Sequence, residues 1–164
     1  MCIVLASRGR TQMKARIINY TPVPDSVLKE YIRYCMPSGL SLKDVSVIKF
    51  DNSTLHFHGR AWPLDMRTTI GVPSKYKYRR PYNTGGFRGY LPNTVYTWDE
   101  HLIELIAHEL RHLWQYKYDF KVGRETKKIR KYNMGTRAKL CEVDASLYAK
   151  RVVRGYRKGT KLHG

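Results

Sequence analysis

Cysteine is scarce in this chain of 164 residues, which has only three: Cys2, Cys35 and Cys141. They are odd in number, lie far apart and form no CxxC pair. This spacing excludes a paired-cysteine motif and predicts free thiols in a reducing compartment. We therefore expect a cytoplasmic protein.

Long apolar runs are also absent. No stretch approaches the length of a membrane span, and the apolar start, residues 2–6, is too short for the hydrophobic part of a secretory signal. With 42% apolar residues the chain can still bury a core. We predict one domain over 1–164, a monomer, with the ends 1–14 and 157–164 lacking fixed structure.

Acidic residues are few. Thirteen Asp and Glu stand against 31 Lys and Arg, which gives a net charge of +18. The segment 99–120 is acidic, whereas both of its flanks are strongly basic. A field of this sign attracts nucleic acid or another anionic partner to the basic flanks. Charge alone carries no specificity, so an ordinary solvated surface is an equal explanation.

The hydrophobic pattern predicts an α+β protein. Helical spacing of apolar residues marks three helices, and alternation marks short strands before the second helix. A loop is expected at 73–93. In chain order the predicted elements are a strand at 15–20, a helix from Asp25 or Ser26 to Met36, strands at 45–50, 55–61 and 68–72, a turn at 51–53, a helix capped by Thr97 or Asp99, and a helix from Thr136 to Tyr156.

The stretch His108-Glu109-Leu110-Arg111-His112 carries the chemistry. Residues four apart on a helix project from one face, so the two histidines can close on a single metal ion. Glu109 lies one residue round the helix, where it can take a proton from water at the metal without being a ligand. This is the arrangement of a zinc hydrolase.

A catalytic zinc site needs a third protein ligand. Glu142 is the best candidate, because it shares a helix face with the small residues Ala145 and Ala149 and these allow a close approach to the motif helix. Asp119 and Glu125 are the alternatives.

His-Glu-x-x-His followed by Glu-x-Asp-Ala-x-x-x-Ala resembles the gluzincin group of metallopeptidases, most closely its small single-domain phage and bacterial members. The HxxQ ending, His112 to Gln115, resembles the same members. The resemblance implies a zincin-like, thermolysin-like fold, in which a small mixed sheet packs on the HExxH helix and on a second, ligand-bearing helix. It also implies one Zn²⁺ per chain, bound by His108, His112 and Glu142, with Glu109 as the base.

The resemblance implies two further roles. Many gluzincins carry an aspartate four residues after the ligand glutamate, hydrogen-bonded to a ligand histidine, whereas this chain has Ser146 there. A serine in this second shell supports the ligand less, so weaker metal binding or modest activity is expected. Tyr132 is where related enzymes carry a tyrosine that stabilises the oxyanion, and Tyr148 and His101 are its rivals.

The function predicted from these residues is that of a zinc metalloendopeptidase acting on a protein or peptide. The scaffold order predicts that the substrate pairs with a sheet edge at 68–72, next to the loop 73–93. One alternative is a SprT-like protease acting on DNA-associated proteins, although that family completes its site with a third histidine. The other is a basic nucleic-acid-binding protein whose zinc site is structural or degenerate.

Overall fold

The computed structural model describes residues 15–53, 56–73, 82–84, 91–118 and 137–159. These form an α+β architecture of one mixed four-stranded sheet, one two-stranded sheet and three α-helices. In chain order the elements are β1 (Arg16–Asn19), α1 (Asp25–Cys35), β2 (Val47–Ser53), β3 (His58–Trp62), a short 3-10 helix (Pro63–Asp65), β4 (Arg67–Pro73), β5 (Tyr82–Thr84), β6 (Asn93–Val95), α2 (Trp98–Lys117) and α3 (Arg137–Arg157).

The four-stranded sheet has the order β1-β2-β4-β3. β1, β2 and β4 run parallel to one another, whereas β3 is antiparallel to β4. The chain reverses from β3 into β4 through the 3-10 helix and Met66, which adopts the left-handed conformation with φ 49°. Because of this reversal, β4 is inserted between β2 and β3, and β3 forms one edge of the sheet among the described residues.

The predicted substrate edge at 68–72 is therefore wrong. These residues lie in β4, where Thr68 pairs with Ile48 on one side and with Ala61 on the other. Both sides of β4 are already hydrogen-bonded, so an added strand cannot pair there. The edge nearest the HExxH helix is β3, His58–Trp62.

The core lies between one face of the sheet and the helices. Ile48, Phe50 and Ile70 point from the sheet into this core, and Leu102 and Ile106 meet them from α2. The central helix α2 is buried on all sides between Glu100 and Leu110. A helix that must bury both an apolar stripe and a polar motif has no face left for solvent.

The start of α2 is capped as predicted by Thr97, whose hydroxyl accepts a hydrogen bond from the backbone N–H of Glu100. The Glu100 carboxylate accepts from the backbone of Tyr96 and is held by Arg157 through two 2.8 Å contacts. Arg157, the first residue of the 157–164 segment expected to lack fixed structure, is thus the last residue of α3. Residues 1–14 and 160–164 lie outside the described residues.

Two local predictions are corrected. Residues 51–53, predicted as a turn, continue β2 and pair with Gly71, Val72 and Pro73 of β4. The predicted loop at 73–93 contains β5, and β6 begins at its end. Within the described part of the chain, no helix is long and apolar enough to cross a membrane.

Candidate metal centre

Three of the predicted ligands come together in the structure. His108, His112 and Glu142 each offer one ligand atom to a cluster whose atoms all lie within 4.8 Å of one another. His108 Nε2 is 3.1 Å from His112 Nε2 and 3.1 Å from Glu142 Oε2, and His112 Nε2 is 3.5 Å from Glu142 Oε1. Ligands at about 2.0–2.1 Å in a tetrahedron around zinc lie about 3.3–3.4 Å apart. The donor types and their spacing therefore fit Zn²⁺.

The helix pair explains this convergence. α2 presents its two histidines one turn apart, and α3 runs antiparallel beside it with Glu142 near its start. Ala145 and Ala149 are fully buried where α3 meets the core. Small side chains at that position allow two helices to approach closely, which brings a short carboxylate within reach of the histidines.

The electrostatics of the cluster favour a neutral His108 and an anionic Glu142, whereas they favour the protonated form of His112. Burial lowers the pKa of His108, whose exposed fraction is 2%. Burial raises the pKa of Glu142, but its hydrogen bonds with His108 and His112 outweigh this and lower it to about 2. Burial also opposes the charged form of His112, yet Glu142 and Glu109 raise its pKa. A divalent cation would take the place of the proton that the two carboxylates attract.

A chain of polar contacts fixes the ring of His112. Gln115 Nε2 donates to the Cys141 carbonyl and to Asp144 Oδ2, both at 2.8 Å. Its Oε1 is thereby turned to His112 Nδ1, 2.9 Å away. Nδ1 must then carry the hydrogen, which leaves the lone pair of Nε2 directed at the cluster. Arg111 completes the chain with a two-point contact to Asp144, at 2.7 and 3.1 Å.

The role expected of Ser146 is corrected. Its hydroxyl donates to the Glu142 carbonyl at 2.7 Å and accepts from the backbone N–H of Leu91 at 3.1 Å. The contact to a ligand histidine is made instead by Gln115, from α2. Ser146 thus joins the start of α3 to the segment before β6, and the support of the ligand ring does not depend on it.

Glu109 lies beside the cluster with 5% of its surface exposed. Burial is the main reason that its pKa rises to about 7, and a hydrogen bond from the Ala61 backbone opposes the rise. Its carboxylate rests on β3, directly against Gly59. A Cβ added at Gly59 would lie 2.7 Å from both Cγ and Cδ of Glu109 and closer still to Oε1. Only glycine leaves room for the carboxylate at this point.

The remaining candidates are the residues considered for the oxyanion role and the alternative third ligands. They either make other contacts or lie outside the described residues. Tyr148 donates its hydroxyl to the Cys35 carbonyl at 3.0 Å, and His101 packs on Phe57 with ring centres 4.1 Å apart. The cluster among the described residues contains neither of them. Tyr132, Asp119 and Glu125 lie outside the described residues.

Sequence reasoning missed three contributors to this site, namely Gln115, the Arg111–Asp144 pair and Gly59. Gln115 had a signal, since it stands one helical turn after His112 and so faces the same way. Asp144 is two residues from Glu142, which by helical arithmetic assigns it to another face. It nevertheless reaches the site through the long side chains of Arg111 and Gln115.

In comparisons with protein-family models, curated proteins and solved structures, nothing matches this chain.

Proposed function

We propose that this protein is a zinc-dependent metallopeptidase with a zincin-like fold. The observation that carries the proposal is the convergence of His108, His112 and Glu142 at tetrahedral spacing, with the buried carboxylate of Glu109 beside them. The mixed sheet, the HExxH helix and the second ligand-bearing helix agree with a zincin-like arrangement. The protein would bind one Zn²⁺ per chain.

The three ligand residues would leave one tetrahedral position open, as catalytic zinc sites require. Bound zinc supplies Lewis acidity, which polarises a carbonyl and lowers the pKa of water. The chain's own contribution is to hold the histidine rings with their Nε2 lone pairs inward and to keep the site buried. Gln115 and Asp144 perform the first task at His112.

Glu109 would be the general base. A carboxylate with a pKa of about 7 exists in both protonation states near neutral pH, so it can accept a proton from water and pass it to a leaving amine. Its contacts with Gly59 and Ala61 hold the carboxylate against β3. The charges of His112 and Glu142 act on it, which places it within electrostatic reach of the cluster.

The substrate would be an extended peptide that pairs with β3. This strand is hydrogen-bonded to β4 on one side, and Glu109 lies against it. An extended peptide can add to the free side of an edge strand through main-chain hydrogen bonds. The scissile bond would then lie next to the base and the ligand cluster.

The test compares two variants with wild type for bound zinc and for hydrolysis of an unstructured protein such as casein. Glu109→Gln preserves the shape of the side chain but removes the base, so zinc should be retained while hydrolysis is lost. His112→Ala removes a ligand, so both should be lost. A Glu109→Gln protein as active as wild type would overturn the peptidase proposal. Zinc retained in His112→Ala would overturn the ligand assignment.

A further inference from the structure

The face of the four-stranded sheet that points away from the helices forms a second functional surface. Strand register places its side chains in rows, and two neighbouring rows carry cations. Their members are half-buried or exposed, and none belongs to the core formed by the described residues. We call this the outer face. One row contains Arg16, Val47, Arg67 and Trp62, and the other contains Ile18, Lys49, Thr69 and Arg60.

Each row carries two cations separated by one strand. Arg16 and Arg67 flank Val47 in the first row, and Lys49 and Arg60 flank Thr69 in the second. Neighbouring strands are about 4.8 Å apart, so the two cations of a row start from backbones about 10 Å apart. A small anion cannot bridge that distance, whereas a polymer with repeated anionic groups can contact all four positions.

Two of these cations are partly neutralised by neighbouring carboxylates, whereas Arg16 and Arg60 form no ion pair with a carboxylate of the described residues. Lys49 contacts Asp51 at 2.9 Å, and Arg67 contacts Asp65 at 3.2 Å. These are exposed pairs, which are weak and easily exchanged. Arg16 and Arg60 are exposed. The outer face is therefore positive, in a chain whose net charge is +18.

Aromatic rings accompany the cations. The guanidinium groups of Arg60 and Arg67 lie 5.1 and 4.7 Å from the centre of the Trp62 ring. Lys49 lies 5.3 Å from the centre of the Tyr20 ring, and Tyr20 is largely exposed just after β1. The Trp62 indole thus has two positively charged guanidinium groups beside it. Because like charges repel, an anion bound between them would stabilise this arrangement. Rings and guanidinium planes also offer surfaces on which bases can stack.

We infer that the outer face binds single-stranded nucleic acid. Its cations would contact phosphates. Tyr20, and the Trp62 ring with the neighbouring guanidinium groups of Arg60 and Arg67, would contact unpaired bases. A duplex presents its bases in grooves that are wide enough for a helix or a two-stranded ribbon. The face of a four-stranded sheet is too broad to enter either groove. Single strands expose their bases to a flat platform of this kind. The helices occupy the opposite face of the sheet, so this surface is separate from the metal centre.

The experiment measures binding of a fluorescent oligothymidylate by anisotropy over a range of salt concentrations. The test variant is Arg16→Gln/Arg60→Gln. Each phosphate contact with a single strand contributes about 0.7 to the salt slope, or about fivefold in affinity at 0.1 M salt. The double variant should bind about 25-fold more weakly at 0.1 M salt and lose about 1.4 from the slope.

The matched control is Lys29→Gln/Arg33→Gln, which removes two exposed cations from α1, on the helical side of the molecule. It changes the net charge equally and should bind nearly as wild type does. Glu109→Gln should also bind unchanged, since the metal centre is on the other face. An equal loss in the α1 control would assign binding to net charge alone and overturn the inference.

Two further results would also overturn it. One is no oligothymidylate binding by wild type at low salt, where phosphate contacts are strongest. The other is tighter binding of wild type to a duplex of the same length, or to vesicles containing anionic lipid, than to oligothymidylate. In that case the double variant would lose affinity for the duplex or the vesicles to the same extent. Circular dichroism of the double variant checks the fold, and exposed arginines are expected to be replaceable without unfolding.

Discussion

The two helices that supply the ligands differ in how they are held. In α2, every residue from Glu100 to Leu110 is buried, and His108 lies within the packed core. In α3, only one face is buried, Leu147 is 55% exposed, and the side chain of Glu142 is 34% exposed. The α2 half of the site is therefore positioned by core packing, whereas Glu142 is positioned by polar contacts near the surface.

This difference separates stability from metal chemistry. A change in α2 near the histidines disturbs the core and the cluster together, because the same turns of helix serve both. A change on the exposed side of α3 leaves the core intact. Four substitutions test this comparison, from the largest expected effect to the smallest.

The largest effect is expected from Leu110→Ala, between the two histidines. Leu110 is completely buried, so its removal leaves a cavity and should lower the free energy of unfolding by about 2–5 kcal/mol. Leu147→Ala, the matched change on the exposed face of α3, should stay within about 0.5 kcal/mol of wild type. Urea denaturation of both metal-free proteins measures this. Equal losses in the two variants would remove the distinction between the helices.

The next effect concerns Gly59→Ala. The new methyl group would displace the Glu109 carboxylate, and misplacement of a catalytic group by about 1 Å can cost about 100-fold in rate. We expect kcat to fall by about that factor with zinc still bound. The control is Gly71→Ala on β4, where the three atoms nearest to the added Cβ all belong to the ring of His58, which is exposed and can move. Unchanged turnover in Gly59→Ala would show that Glu109 does not need this position.

Gln115→Ala tests the contacts that orient His112. Loss of a partner that holds a ligand ring typically lowers metal affinity by about 10–100-fold. We expect zinc affinity, measured by competition with a chelating dye, to fall within that range. Tyr116→Ala, an exposed neighbour on the same turn, is the control and should bind zinc as wild type does. An unaffected Gln115→Ala protein would mean that packing alone orients the ring.

The smallest effect is expected from Ser146→Ala. Its hydroxyl bonds the Glu142 carbonyl and the Leu91 N–H rather than a ligand ring, so zinc affinity should change less than it does in Gln115→Ala. The free energy of unfolding should fall by about 1–2 kcal/mol, because two hydrogen bonds are lost. Calorimetric zinc titration beside thermal unfolding separates the two quantities. A larger loss of zinc affinity than in Gln115→Ala would restore Ser146 to the ligand shell.

The sequence predicted much of this molecule because its strongest signals are local. Helical periodicity located the first and third helices to within a residue or two at each end, and one of the two predicted caps, Thr97, begins the second. The i, i+4 spacing of His108 and His112 predicted their shared face. These features depend on neighbours in the chain, which a sequence displays directly.

Strand order and side-chain reach could not be predicted in the same way. The insertion of β4 between β2 and β3 depends on the parallel pairing of β4 with the more distant β2, which the turn residues Pro63 and Asp65 do not specify. The contact of Asp144 with Gln115 depends on how far two long side chains extend between helices. The room that Gly59 leaves for Glu109 exists only once β3 and α2 are packed together.

The antiparallel contacts between α2 and α3 have a thermodynamic consequence. Arg157 forms hydrogen bonds with Glu100 at one end of the helix pair, and Arg111 forms hydrogen bonds with Asp144 near the other end. Neither contact involves a metal ion. If zinc binds as proposed, these contacts would hold the two helices together without it, unlike zinc fingers, whose folding depends on the metal. Stripping the ion with a chelator should leave the chain folded, and metal would add stability only in proportion to how far its concentration exceeds its dissociation constant. Such a protein can be emptied and refilled repeatedly while its backbone stays in place.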